Sequence, residues 1–128
     1  MENKKNKILA LKYRPQNFKE LIGQDIMVET ITNSIKLKKL PNAYLLTGIR
    51  GTGKTTTARL IAKAINCKKD FVANKSGEYC DCESCEQITN DRHLDVLEMD
   101  AASRTGIDDV RELIESSKYN PTSAKYKI

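Results

Sequence analysis

No stretch of the 128-residue sequence approaches the roughly 18 consecutive apolar residues of a membrane-spanning helix. Its first seven residues stay polar and charged where a secretory signal would turn apolar. No membrane association is expected, and a cytoplasmic protein is. Histidine is nearly absent, since His93 stands alone. With no open coordination position beside a general base, a catalytic zinc is not expected, and His93 reads as a surface or strand-edge residue. Acidic residues are outnumbered, 17 against 22 Lys plus Arg, for a net charge of +5. That balance favours contact with polyanions without requiring it; scattered Lys beside many Asn and Ile reads equally as a bias of amino-acid usage. With 39% apolar residues, the chain has the material for the core of one domain.

Against this background one motif stands out. Gly48-Ile-Arg-Gly-Thr-Gly-Lys54-Thr55 is a complete G-x-x-x-x-G-K-[ST] phosphate loop. Its glycines allow a tight turn in which successive N–H groups approach an anion. Lys54 adds a charge for the β and γ oxygens, and the Thr55 hydroxyl is placed to ligate Mg²⁺. The helix that follows presents its positive end to the same phosphates. Residues 43–47 (AYLLT) read as a buried strand, and residues 55–66 carry apolar side chains at 58, 61, 62 and 65 as a helix does. The motif thus has the strand-loop-helix setting it needs, and a nucleoside triphosphate is the implied ligand. A glycine turn without a ligand is the plain alternative.

Taken in order, residues 1–7 are expected to be disordered and residues 8–128 to form a nucleotide-binding domain. Residues 11–24, with Pro15 forcing Arg14 toward extended geometry, read as an ordered arm. Tyr13, Phe18 and Ile22 of that arm either cover a nucleotide base or pack on the following helix. Asp25 to Lys39 reads as an amphipathic helix ended by Pro41, with Met27, Val28, Ile31 and Ile35 on one face. After Asn66 comes an insert, residues 67–85, holding all four cysteines: Cys67, Cys80, Cys82 and Cys85. In a cytoplasmic chain such a cluster points to structural zinc, which stands in for the core that so short an insert cannot build. The C-x-C gap between Cys80 and Cys82 bends less easily around one ion, so unligated thiols or a thiol switch remain open. Residues 94–100 read as a second strand. Glu98 argues against Asp100 being the Mg²⁺-binding acid of a Walker B strand, which should be almost uniformly apolar. Ile107 to Lys118 reads as a helix, with Ile107, Val110, Leu113 and Ile114 on one face. Residues 124–128 look like a strand that has only begun. No aliphatic run followed by Asp-Glu occurs after the phosphate loop, so a Walker B element is not expected within these residues.

Tyr13-Arg14-Pro15 with Phe18 and Gly23-Gln24, the GIRGTGKTT loop, the cysteine insert after its helix, Met99-Asp-Ala-Ala-Ser103 and Asp108-Asp-Val-Arg-Glu-Leu113 together resemble the N-terminal part of the gamma/tau subunits of bacterial DNA polymerase III. These are the AAA+ ATPases of the replicative clamp loader. The resemblance covers nearly the whole chain. It implies an α/β P-loop NTPase fold, a parallel sheet with helices on both faces, interrupted by the cysteine insert and truncated before Walker B. It also implies binding of ATP and Mg²⁺ by Gly48, Ile49, Arg50, Gly51, Thr52, Gly53, Lys54, Thr55 and Thr56. Tyr13, Arg14, Pro15 and Ile22 would line the adenine side, and Zn²⁺ would be held by Cys67, Cys80, Cys82 and Cys85. Arg104 and Arg111 would contact DNA phosphates. The implied function is an ATPase subunit that, with other clamp-loader subunits, places the sliding clamp on primer-template DNA; turnover is not expected of these 128 residues alone. The competing readings are another P-loop NTPase, or a non-hydrolysing zinc-containing scaffold or nucleic-acid-binding subunit.

Overall fold

The computed structural model describes residues 8–69, 80–103 and 106–128. Its regular structure is α1 (Leu9–Lys12), a 3₁₀ turn (Phe18–Glu20), α2 (Asp25–Lys36), α3 (Lys54–Asn66), α4 (Glu83–Thr89) and α5 (Ile107–Ser117). The middle of the molecule is α3. Thr57, Leu60, Ile61 and Ala62 are buried along it, and it packs against α4 on one side and α2 on the other. From α2 the core receives Ile31, and from α4 it receives Cys85 and Ile88. Met27, Val28 and Ile35 of α2 are half-buried, and Ile26 points to solvent.

The ends of α2 and α4 follow one physical pattern. Each helix closes with paired bonds: Lys38 N to Ile35 O and Lys39 N to Ser34 O on α2, Asp91 N to Ile88 O and Arg92 N to Gln87 O on α4. These are the two bonds of a Schellman turn, which sets the residue after the cap in the left-handed region. That residue is usually Gly, but here it is Lys38 (φ 55°) and Asp91 (φ 54°). The left-handed turn at Lys38 ends α2 earlier than the sequence pattern, which ran to Lys39.

The expected parallel sheet is not found. Among the described residues the structure is helical and contains no strand, so the α/β assignment is corrected. Residues 43–47 and 94–100 are both without regular structure. A strand exists only when its backbone groups pair with a neighbour. Residues 40–44, Leu46 and residues 125–128 instead face a cleft of about 1440 Å³ over Ala58, Ile61 and Ile65 of α3. Among the described residues, two segments meet in a backbone pairing at Ile128 N to Asp95 O and Leu97 N to Ile128 O, both 2.8 Å. Leu45 therefore stays exposed where a buried strand was expected. On α5 the apolar residues Ile107, Val110, Leu113 and Ile114 are likewise exposed.

Glu98, the residue that spoke against a Walker B strand, has a partner that explains its place. Arg59 of α3 donates to both of its carboxylate oxygens, at 2.7 and 2.8 Å. That bidentate bond holds the Glu98 carboxyl below its usual range and raises Arg59.

Candidate functional site

The phosphate loop opens α3. Three of its residues have positive φ: Gly48 at 152°, Gly51 at 85° and Gly53 at 89°. A Cβ on Gly48 would lie 3.0 Å from Thr52 Oγ1, so a side chain at that position would strain the backbone and require Thr52 to shift. Gly53 is the N-cap of α3. The first-turn N–H groups of any helix lack an intrahelical carbonyl, and Lys54, Thr55 and Thr56 occupy that turn here. Lys54 Nζ folds back over the loop and donates to Gly48 O at 2.7 Å and Ile49 O at 2.6 Å. Thr52 Oγ1 donates to Ile49 O. Thr55 is exposed, whereas Thr56 is buried. Ile49 and Arg50 are exposed on the loop's outer side.

The arm lies beside this loop. Leu21 is buried, with Cδ2 3.9 Å from the position a Gly53 Cβ would take. Next to it Ile22 is 95% exposed, and Tyr13 is 73% exposed with Lys12 over its ring. Arg14 and Pro15 are half-buried. Both Tyr13 and Ile22 thus offer apolar surface that the described residues leave uncovered. Gln16 anchors the arm: its Oε1 accepts from Lys63 Nζ at 2.7 Å and its Nε2 donates to Arg14 O.

At the other end of α3 the four cysteines converge. Cys67 follows the last turn of α3, Cys82 is the N-cap of α4, Cys85 lies in its first turn, and Cys80 precedes both. All four Sγ atoms lie within 4.8 Å of one another, with Cys67 3.3 Å from Cys80 and 3.7 Å from Cys82. The single-residue gap between Cys80 and Cys82 does not prevent this convergence. Disulfides would need about 2.05 Å, and all four thiols are free. A tetrahedral tetrathiolate site with Zn–S near 2.3 Å has S···S edges of about 3.8 Å, close to these separations. The donor set therefore fits a thiophilic divalent ion.

Electrostatics within the cluster are uneven. Burial, reinforced by its hydrogen bond with Cys80, pushes the Cys67 thiol up to about 12. Burial also pushes Cys85 far up. Burial acts the same way on Cys82, but the backbone N–H groups of Cys85 and Lys68 and the neighbouring thiols outweigh it and bring Cys82 to about 6. One sulfur is thereby prepared as a thiolate before any ion arrives. Lys68 pairs with Glu83, and Lys69 with Asp81, across the base of the insert.

Of the two arginines expected at DNA, Arg111 lies exposed on α5 with Asp108 3.6 Å away. Arg104 lies outside the described residues. His93 is not at the surface: it is 5% exposed, its Nδ1 accepts from Asp95 N, and its Nε2 is buried without a partner among the described residues.

Sequence reasoning missed the residues that join these parts. Asn66, the last residue of α3, donates to Tyr126 O and accepts from Tyr126 N, both at 2.9 Å, so its amide stands in for a neighbouring backbone. Asp95 accepts from three successive backbone N–H groups, those of Thr122, Ser123 and Ala124, at 2.8 to 2.9 Å. Those bonds hold its carboxyl far below the usual carboxylate range. Their partners lie 27 to 60 positions away, beyond any spacing rule.

Residues 23–128 match the family model described as DNA polymerase III, delta subunit. The DNA polymerase III subunit gamma of Buchnera aphidicola subsp. Baizongia pistaciae is 43% identical over 121 residues, 94% of this chain and 32% of that one. The subunit tau of Escherichia coli K12 is 39% identical over 121 residues, 94% of this chain and 18% of its own length. For the subunit gamma/tau of Mycoplasma pneumoniae the identity is 46% over 123 residues, 95% of this chain and 17% of the relative. The chain thus spans about a third or less of the length of these relatives. With the model matching residues 23–128, the chain belongs to the DNA polymerase III, delta subunit, family, and its sequence is similar there to the N-terminal region of gamma and tau subunits.

Proposed function

We propose that this chain carries the nucleotide-binding part of an ATPase subunit of the replicative clamp loader, acting with other clamp-loader subunits to place the sliding clamp on primer-template DNA. The observation that carries the reading is the phosphate loop: three glycines at positive φ lead into α3, with Lys54 folded across them. ATP is bound by residues 48–56, the backbone from Gly48 to Gly53 wrapping the β-phosphate and Lys54 leaving its two carbonyls for the β/γ oxygens. Thr55 contributes its hydroxyl to Mg²⁺, and Thr56 its first-turn N–H. Tyr13, Arg14, Pro15 and Ile22 meet the base. Zn²⁺ at Cys67, Cys80, Cys82 and Cys85 holds the insert against the end of α3, in place of the apolar core that this part of the chain lacks. Arg104 and Arg111 meet DNA phosphates, contacts that are blind to sequence as a loader requires. The names of the relatives, all subunits of DNA polymerase III, support replication as the setting.

The experiment is titration of a fluorescent ATP analogue with Mg²⁺ into the chain and into Lys54→Ala, beside a phosphate-release assay. The expected result is binding by the parent, binding weakened at least tenfold in the mutant, and no turnover by either. Equal affinity of the two proteins would defeat the assignment of the loop.

A further inference from the structure

Lys63 is 5% exposed on α3, and its ammonium donates to the side-chain oxygen of Gln16 at 2.7 Å. A neutral amide is a weak counter-charge for a buried cation, which normally requires an anion nearby. Lys63 makes no ion pair with a carboxylate among the described residues. Burial pulls its ammonium below the ordinary lysine range, and the leading charges that act against it are Cys85 and Cys80 in their ionised form, the form a bound metal enforces, followed by Glu20. A divalent ion held by four thiolates keeps a net double negative charge, so the loaded cluster would be the missing anion.

Gln16 links this lysine to the arm. Its Oε1 also lies 3.5 Å from Thr89 Oγ1 at the end of α4, and that hydroxyl donates to Cys85 O at 2.8 Å. Its Nε2 donates to Arg14 O at 3.3 Å, and its backbone N–H donates to Glu20 Oε2 at 2.8 Å. One amide therefore touches the helix after the phosphate loop, the helix carrying Cys85, and the arm beside Gly53.

We propose that Lys63 is the counter-cation of the metal-loaded cysteine cluster and that, through Gln16, it ties metal occupancy to the arm residues Tyr13, Arg14 and Pro15, so that a thiophilic divalent ion and a nucleoside triphosphate bind with positive coupling. This rests on the nucleotide and metal sites proposed above. The dianion fixes the ammonium, which otherwise ends a flexible four-carbon chain. A fixed donor holds Gln16, and Gln16 holds the Arg14 carbonyl, so the arm is ordered before the base arrives. Linkage makes the effect reciprocal: each ligand tightens the other by one and the same factor.

The test uses the 128-residue chain with Co²⁺, whose visible spectrum reports tetrahedral thiolate ligation, and a fluorescent ATP analogue with Mg²⁺. The parent should bind each ligand about fivefold more tightly, or better, when the other is saturating. Lys63→Met should weaken Co²⁺ binding about tenfold, as loss of an outer-shell partner does, and Lys63→Arg should recover most of it. Gln16→Ala should keep Co²⁺ affinity within about twofold of the parent while abolishing the coupling. A parent that binds both ligands with no mutual effect overturns the inference and leaves the sites standing. So does parental coupling in Gln16→Ala, or parental Co²⁺ affinity in Lys63→Met. A parent without a tetrathiolate spectrum, or without analogue binding, overturns the site assignments themselves and the inference with them.

Discussion

Replacing Asp95 by Asn tests whether residues 122–128 are held to the body of the molecule by one carboxylate. Asp95 is 2% exposed, and its two oxygens accept from the N–H groups of Thr122, Ser123 and Ala124, with the Ser123 hydroxyl at 3.2 Å as well. Asn keeps the shape but presents an NH₂ group to one or two of those donors. Hydrogen bonds to a charged acceptor contribute roughly 1.5–3 kcal/mol each, so Asp95→Asn should cost about 2–4 kcal/mol at pH 7. The pH dependence carries the sharper signature. Because the folded-state pKa is depressed, the contribution is fully present above the unfolded value of about 3.9 and is lost as pH falls through the folded value. Urea unfolding followed by far-ultraviolet circular dichroism should thus give a parent-to-mutant gap that is constant from pH 7 to pH 5 and narrows by about 1 kcal/mol by pH 3. A gap below about 0.5 kcal/mol at pH 7, or one independent of pH, refutes the reasoning.

At Lys38, φ of 55° in the closing turn of α2 favours glycine. Lys38→Gly should stabilise the chain by roughly 0.5–1 kcal/mol, seen as a higher urea midpoint at unchanged slope; a lower midpoint would show that the lysine chain contributes more than its backbone costs. Metal uptake should release protons, because Cys67 is pushed up to about 12 and Cys85 further while Cys82, at about 6, is already ionised near neutrality. Zn²⁺ titration calorimetry in buffers of different ionisation enthalpy should give about two protons or more per ion, and release of fewer than one would exclude ligation by both buried thiols.

The sequence made the local parts legible and the long-range ones not. The glycines of residues 48–53 announce the loop because each answers a backbone demand that no other residue meets, and Gly51 and Gly53 take up left-handed φ as expected. The helix bounds of α2, α3 and α5 were readable to within a few residues from apolar period and caps. Four cysteines in 19 positions announced a cluster, and the Sγ atoms meet. The sheet was a different kind of inference. Residues 43–47 have a strand's composition, yet composition supplies only the faces of a strand; its edges must be met by another chain segment. Here residues 40–44, Leu46 and residues 125–128 line a common cleft without a backbone bond between the two segments. His93 was misplaced for a related reason: burial is set by what folds over a residue, which one lone side chain does not encode.

The residues that integrate the molecule are polar side chains acting as backbone substitutes. Asn66 pairs with Tyr126 as a strand would, and Asp95 collects three N–H groups as a helix cap would. Both tie residues 122–128 to the body of the molecule, and Asn66 does so from an element that also bears the candidate sites: it is the residue before Cys67 and the last of the helix that Lys54 begins. With α3 only 13 residues long, about 20 Å at 1.5 Å per residue, phosphate loop and cysteine cluster sit at the two ends of one rigid rod. A helix of that length moves as a unit, so a shift imposed at either end is felt at the other. The arm can make the ends differ in response, because Gln16 meets Lys63 three residues before Asn66 while Leu21 lies against Gly53. On the coupling proposed above, the arm, rather than the helix, is the part whose order depends on what the two ends hold.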